Sequence, residues 1–219
     1  MPTPSIFKKI LDDMNKTIME LQTKNLVRDY RGISGNQIGI NSYEITYNGK
    51  NTDISNIVYD KHISQEELMR KLLKGLQYTI LMYDKSIIQS EFIIDNDKII
   101  KERLVFMKRH NRVWDINEIT DYDRMEHDWF EEEKGIPIIF RIDYAPNDHI
   151  EKDHAATHVT LSNHETCRIP MKGIVTFSEF IRFILFHFYN IKLDLNENRL
   201  NIDDTITELE KKMIHINWV

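Results

Sequence analysis

Residues 86–107 read SIIQSEFIIDNDKIIKERLVFM. β-Branched and aromatic residues fill both halves, and Asp95-Asn96-Asp97 divides them. That pattern predicts a β-hairpin, with strands over 86–94 and 98–107 around a polar turn. Ile88, Phe92 and Ile94 are expected to face Ile100, Leu104 and Phe106 or their neighbours. Strands adjacent in sequence pair antiparallel, so this segment sets the character of the sheet.

Upstream, residues 5–27 carry Ile6, Ile10, Met14, Ile18 and Leu21 at helical spacing, which predicts an N-terminal helix within 1–28. A polar, glycine-marked loop is expected from Asp29 to Asn41. Tyr43, Ile45 and Tyr47 alternate with Glu44, Thr46 and Asn48, the mark of a half-buried strand ending at Asn48-Gly49. Ser64-Gln-Glu-Glu67 is a capping box, and the helix it opens is expected to carry Leu68, Leu72, Leu73, Leu76, Ile80 and Leu81, with Gly75 inside it.

Downstream, residues 120–134 read as a short acidic helix anchored by Met125 and Trp129. Strands are expected over 137–143, 157–162 and 166–170, with Pro137 at a permitted first position. Thr176-Phe-Ser-Glu179 is a second capping box, with Val175 and Phe180 as its hydrophobic staple. The helix behind it, 177–190, is apolar on almost every side, so it should be buried, with His187 as a hydrogen-bonded core residue. A polar helix over 203–214 closes the chain. Runs of strands alternating with lone helices predict one α+β domain over 1–219. Its sheet should be antiparallel or mixed, with helices packed on one face and one buried, aromatic-rich helix; residues 203–219 form a C-terminal helical extension.

Composition narrows the class. Of 219 residues, 41% are hydrophobic and 29% charged, as in a globular protein. A single cysteine suits a reducing cytoplasm. Residues 1–16 have no unbroken apolar core or small-residue cleavage site, so no secretory signal is expected. The most apolar run, 177–191, is interrupted by Glu179, Arg182 and His187 and is too short to span a bilayer. The net charge of −6 argues against a sequence-independent DNA coat, but leaves room for a local basic pocket. With no GxGxxG and no GxxxxGK[ST], a dinucleotide or P-loop site is not expected.

Reactive groups concentrate in Ile138–Pro170, which holds four of the nine histidines, the only cysteine, Arg141 and Arg168. Strand alternation puts Arg141 and Asp143 on one face, and His158, Thr160 and Ser162 on one face of the next strand. His154 and Asp153 fall on the loop leading in. Together His154, His158, Asp143, Arg141 and Arg168 form a candidate catalytic set: histidine as acid or base, Asp143 to orient it, arginine to stabilise phosphate charge. The plainer alternative is a structural Arg141–Asp143 ion pair with solvated histidines. A zinc or manganese site from His149, His154, His158, Asp148 and Asp153 is a third. No cofactor is specified by these residues. His158-Val-Thr160-Leu161 also fits the H-x-T-hydrophobic motif of two-histidine phosphoesterases, whose second copy would have to be His62-Ile-Ser64. Cys167, beside Ile169, reads better as a packed residue than as a nucleophile.

The order SYEITYNG (42–49), DKSIIQSEFIIDNDKIIKERLVF (84–106), FRIDYAP (140–146), DHAATHVTLSNHETCRIPMKG (153–173) and TFSEFIRFILFHFY (176–189) resembles an uncharacterised bacterial family, domain of unknown function 2290. The resemblance covers roughly residues 10–195. Through it His154, His158, Thr160, Cys167, Arg168 and Pro170 match the family's Asp-His-x-x-x-His-x-Thr-Leu and Cys-Arg-Ile-Pro segments, to which no activity is attached. More distantly, FRIDYAPNDH followed by His-x-Thr is similar to the R-x-D-x-A-P-H-H and His-x-His pattern of small bacterial toxins paired with antitoxins. Here Asn147-Asp148-His149 replaces the histidine pair and Thr160 the last histidine, leaving either a shared fold or a non-catalytic relative.

Two functions are expected from this set. One is a nuclease or phosphodiesterase of a phage-defence or toxin–antitoxin setting. The other is a non-catalytic accessory subunit bound to a larger protein effector or an antitoxin, with Trp129 and Phe130 as interface anchors.

Overall fold

The computed structural model describes residues 5–50, 63–108, 138–162, 167–193 and 204–217. The central hairpin forms as its residues dictate: β5 (Ile87–Asp95) and β6 (Lys98–Lys108) pair antiparallel over their length. Asn96 and Asp97 both take positive φ, 48° and 59°. Two left-handed residues make the tight turn whose twist matches that of the strands. Asp97 does more than turn the chain. Its carboxylate accepts from the Ile6 backbone N–H at 2.8 Å and the Ser5 hydroxyl at 3.0 Å, capping helix α1 (Ser5–Thr23).

Among the described residues nine strands make one antiparallel sheet. The remaining strands are β1 (Val27–Tyr30), β2 (Ile33–Gln37), β3 (Ser42–Tyr47), β4 (Ile80–Met82), β7 (Ile138–Tyr144), β8 (Thr157–Leu161) and β9 (Arg168–Pro170). The order is β1-β4-β5-β6-β7-β8-β9. β5 divides its outer edge: Ile87 and Ile88 pair with β4, residues 91–95 with β3, and β2 pairs with β3. This is an α+β fold.

Period-two alternation sorts the side chains. Ile88, Phe92, Leu104, Phe106, Phe140, Ile142 and Val159 face the main core beneath α1 and α3 (Phe177–Tyr189). Phe140 stacks on Phe183 with centroids 5.1 Å apart. On the other face, Ile87, Val105, Met107 and Ile139 pack with Leu68, Met69 and Leu72 of α2 (Gln65–Lys74), so a short helix covers part of that side. Gly35 of β2 is required by close approach, since a Cβ there would sit 2.3 Å from the Phe7 ring of α1.

Both expected caps start helices, and the second closes as a full capping box. The Ser64 hydroxyl accepts from Glu67 N at 3.1 Å. Thr176 Oγ1 accepts from Glu179 N at 3.2 Å, and Glu179 returns a carboxylate to Thr176 N at 2.8 Å. Val175 and Phe180 are buried as the staple requires. Replacing Thr176 by Ala should therefore cost about 1 kcal/mol. Urea unfolding monitored by circular dichroism measures it, and an unchanged midpoint would mean that Glu179 caps α3 alone.

Several boundaries differ from expectation. The first helix ends at Thr23 rather than 27, because Asn25 turns left-handed (φ 53°) and Val27 enters β1. The expected loop 29–41 contains the end of β1 and all of β2. The helix from Ser64 stops at Lys74: Gly75 is its C-cap, Leu76 has φ 52°, and Ile80 and Leu81 belong to β4. In place of a C-terminal helix over 203–214 there is a single 3-10 turn, Glu210–Lys212, after which Ile216 bridges to Met171. α3 is buried along most of its surface, but Phe186 and His187 emerge at its end, so His187 is not a core residue. The acidic segment 120–134, with Trp129 and Phe130, lies outside the described residues, as do Pro137, His62 and His164. No described helix is long and apolar enough to cross a membrane.

Candidate functional site

β6, β7, β8 and β9 present their polar alternation on the face opposite the main core. Register sets Arg103 across from Asp143, Asp143 across from His158, Arg141 across from Thr160, and Thr160 across from Arg168. The expected pairing of the two polar strand faces is what the sheet provides. Arg103 was not foreseen. Its only signal is parity on β6, where it alternates with buried Glu102 and Leu104.

Asp143 anchors the group. Oδ1 accepts from Arg103 Nε at 2.8 Å and Oδ2 from Arg141 Nε at 2.5 Å. Burial by itself would raise this carboxyl, but Arg103 and then Arg141 overcome it and hold the pKa below the usual range. Asp143 is thus an anion at neutral pH, committed to two guanidiniums. Arg141 also reaches Thr160 Oγ1 at 3.5 Å.

His158 is buried, with its ring beside this ion-pair network. Nδ1 lies 2.9 Å from the Ala155 carbonyl oxygen. A carbonyl only accepts, so Nδ1 carries the proton. Burial is the largest influence on the ring and lowers its pKa from the ordinary 6.5; the Ala155 bond and Asp143 oppose this in part. The imidazole is therefore neutral at pH 7, and Nε2 bears a lone pair. Asp143 Oδ2 is 3.9 Å from Nε2, beyond hydrogen-bond reach. The residue that orients the ring is thus Ala155, through its backbone, not Asp143 as the residue types suggested.

His154 arrives from the β7–β8 connection. A 3-10 turn, Pro146–Asp148, and an Ile150–His154 bridge fold this loop back on itself. The two imidazoles meet edge to face, centroids 4.8 Å apart. Burial and then the Arg168 charge lower the His154 pKa, opposed by Asp148, Asp143 and Asp153. Arg168 itself is half-buried on β9. The structure therefore gathers all five expected residues, His154, His158, Asp143, Arg141 and Arg168, into one region of the sheet, with Arg103 as a sixth.

The metal set does not assemble. His149 turns away to Glu210, Nε2 to Oε1 3.0 Å, and Asp148 and Asp153 are exposed. Among the described residues no three histidine, cysteine or acidic side chains are placed to share an ion. Cys167 is half-buried just before β9 and makes no part of the cluster. Ser64 is a helix cap, not half of a second H-x-T motif.

A family described as an uncharacterized conserved protein (DUF2290) matches residues 26–218. The chain belongs to this family. The DUF2290 match begins just before β1, leaves α1 outside, and runs past the 10–195 suggested by the motifs toward the C-terminus. It takes in every residue of the cluster. No curated protein and no solved structure matches the chain.

Among the described residues, Arg103, Arg141 and Arg168 and two neutral imidazoles gather about Asp143, with the charges of Asp148 and Asp153 also reaching His154. Arginine forks suit pairs of oxygens on phosphate.

Proposed function

We propose that this DUF2290 protein acts on nucleic-acid or nucleotide phosphodiesters at the His154–His158–Arg168 edge of its sheet. One observation carries the reading: buried His158 spends its Nδ1–H on the Ala155 carbonyl, which leaves Nε2 to act as a base beside Arg141 and Arg168. Such a nitrogen can take a proton from a hydroxyl or water as it attacks phosphorus. In this scheme His154 returns a proton to the leaving oxygen, Arg168 and Arg141 clamp the phosphate, and Asp143 holds Arg103 and Arg141 in place. The Arg141-x-Asp143-x-Ala145-Pro146 and His158-x-Thr160 segments, similar to those of small toxins paired with antitoxins but with that pattern's histidine pair and last histidine replaced, are what support a toxin–antitoxin or related phage-defence setting.

A second reading, a non-catalytic subunit of a larger effector, is favoured by a specific feature: the Asp143 oxygens are both taken and His158 is almost wholly enclosed. Under it the cluster is a folding network and the protein copurifies with its partner from its host.

Binding separates the two. A fluorescent short oligonucleotide, RNA or DNA, is titrated with wild type and with Arg168→Ala at low salt. Loss of one charge-assisted phosphate contact should weaken binding about tenfold or more, with no change in melting temperature, because Arg168 is half-exposed. Equal affinity of the two proteins, or no binding by wild type, contradicts the phosphodiester reading.

A further inference from the structure

Three carboxyl side chains from three elements converge on the turn that opens α3. Glu179, inside the helix, accepts from Thr176 N and from the Thr176 hydroxyl, each at 2.8 Å. Asp13 of α1 accepts from Ser178 N at 3.0 Å. Glu102 of β6 accepts from Val175 N at 3.4 Å. The first two are ordinary caps. Glu102 differs in kind: it points into the core face of the sheet, is 1% exposed, and its Oε1 has no hydrogen-bond partner among the described residues. Tyr144 is its cross-strand neighbour, and the charges of Asp143 and Glu179 both oppose its ionisation. A carboxylate there would hold a full charge against one long hydrogen bond, a state that buried side chains avoid by keeping the proton.

We propose that Glu102 is a proton-controlled latch: as a neutral acid it lets the opening turn of α3 close against β6, and its ionisation releases that turn. Burial pushes the Glu102 carboxyl well up, Asp143 and Glu179 add to this, and only the Val175 N–H opposes it. Asp13 is raised as well, mainly by burial, but Ser178 satisfies it. With its midpoint raised by folding, Glu102 contributes stability that is full below the ordinary glutamate range and is lost as pH rises through that midpoint. The latch lies behind the candidate site: Arg103, the next residue on β6, points to the other face of the sheet and holds Asp143 there.

Hydrogen exchange of peptides spanning 171–185, corrected for intrinsic rates, tests this between about pH 5 and about pH 9 in wild type, Glu102→Gln and Asp13→Asn. In wild type and Asp13→Asn the opening constant of this segment should rise by up to about tenfold per pH unit, then level off above the Glu102 midpoint. Glu102→Gln should show no rise. A slope in Glu102→Gln equal to wild type, or one abolished by Asp13→Asn instead, overturns the proposal. If Glu102→Gln fails to fold, carbon-13 NMR of the wild-type carboxyl decides: a protonated Glu102 at about pH 6 supports the latch, and an ionised one refutes it.

Discussion

Replacing Asp84 by Ala should destabilise the protein by about 3–5 kcal/mol, the cost of leaving a buried cation unpaired. Asp84 lies between β4 and β5. Its Oδ2 accepts from Lys108 Nζ at 3.1 Å and from the Tyr189 hydroxyl at 2.8 Å, and Oδ1 accepts from Ser86 N at 2.9 Å. The Asp84 and Lys108 side chains are 1% and 3% exposed, and the ammonium sits 4.4 Å from the centre of the Tyr189 ring. Burial and the Asp84 charge drive the Tyr189 phenol well up, so it stays a donor. The triad pins the last residue of α3 to the end of β6. The double variant Asp84→Asn with Lys108→Met, which removes both charges, should lose much less than Asp84→Ala alone. Urea unfolding of the two proteins measures the difference. A loss below about 1 kcal/mol for Asp84→Ala would mean that water reaches Lys108.

The second large effect is catalytic. If His158 is the general base and His154 the acid, removing the His158 imidazole should lower kcat/KM by about 10²–10⁴-fold. The pH profile should be distinctive. A base works only when deprotonated, so activity rises with pH through the His158 pKa. An acid works only when protonated, so it falls through that of His154. Burial lowers both from the ordinary 6.5. The kcat/KM optimum is therefore expected on the acid side of 6.5, where an ordinary histidine pair would place it higher. The same depression makes His158 a stability group in the opposite sense from Glu102. Its contribution is present above the ordinary histidine range and is lost as pH falls through the folded midpoint.

The hairpin 86–107 was legible because two signals agree there: alternation of period two, and turn residues that tolerate left-handed φ. α3 was legible because Thr176 and Glu179 cap each other locally. The polar row of the site followed from parity alone on β7 and β8. What escaped depends on contacts distant in sequence. β2 reads Ser-Gly-Asn-Gln after its first residue, and only pairing with β3 makes it a strand. β4 is three residues long, too short to show a period, and its Ile80 and Leu81 extend the apolar spacing of α2 past the point where Gly75 and Leu76 break the helix. The C-terminal segment carries helical spacing but is drawn out by its bridge to Met171. Arg103, Ala155 as the partner of His158, and the Asp84–Lys108–Tyr189 triad each join positions whose meeting no local pattern encodes.

The role of His158 as a base is tested by placing wild type and His158→Gln side by side, measuring thermal melting and cleavage of labelled RNA and DNA oligonucleotides, each with and without Zn²⁺ or Mn²⁺. Closely similar melting temperatures are expected, with cleavage lost in the variant. Cleavage retained by His158→Gln, or a lowered melting temperature with no cleavage by either protein, would contradict it and make the cluster a structural network.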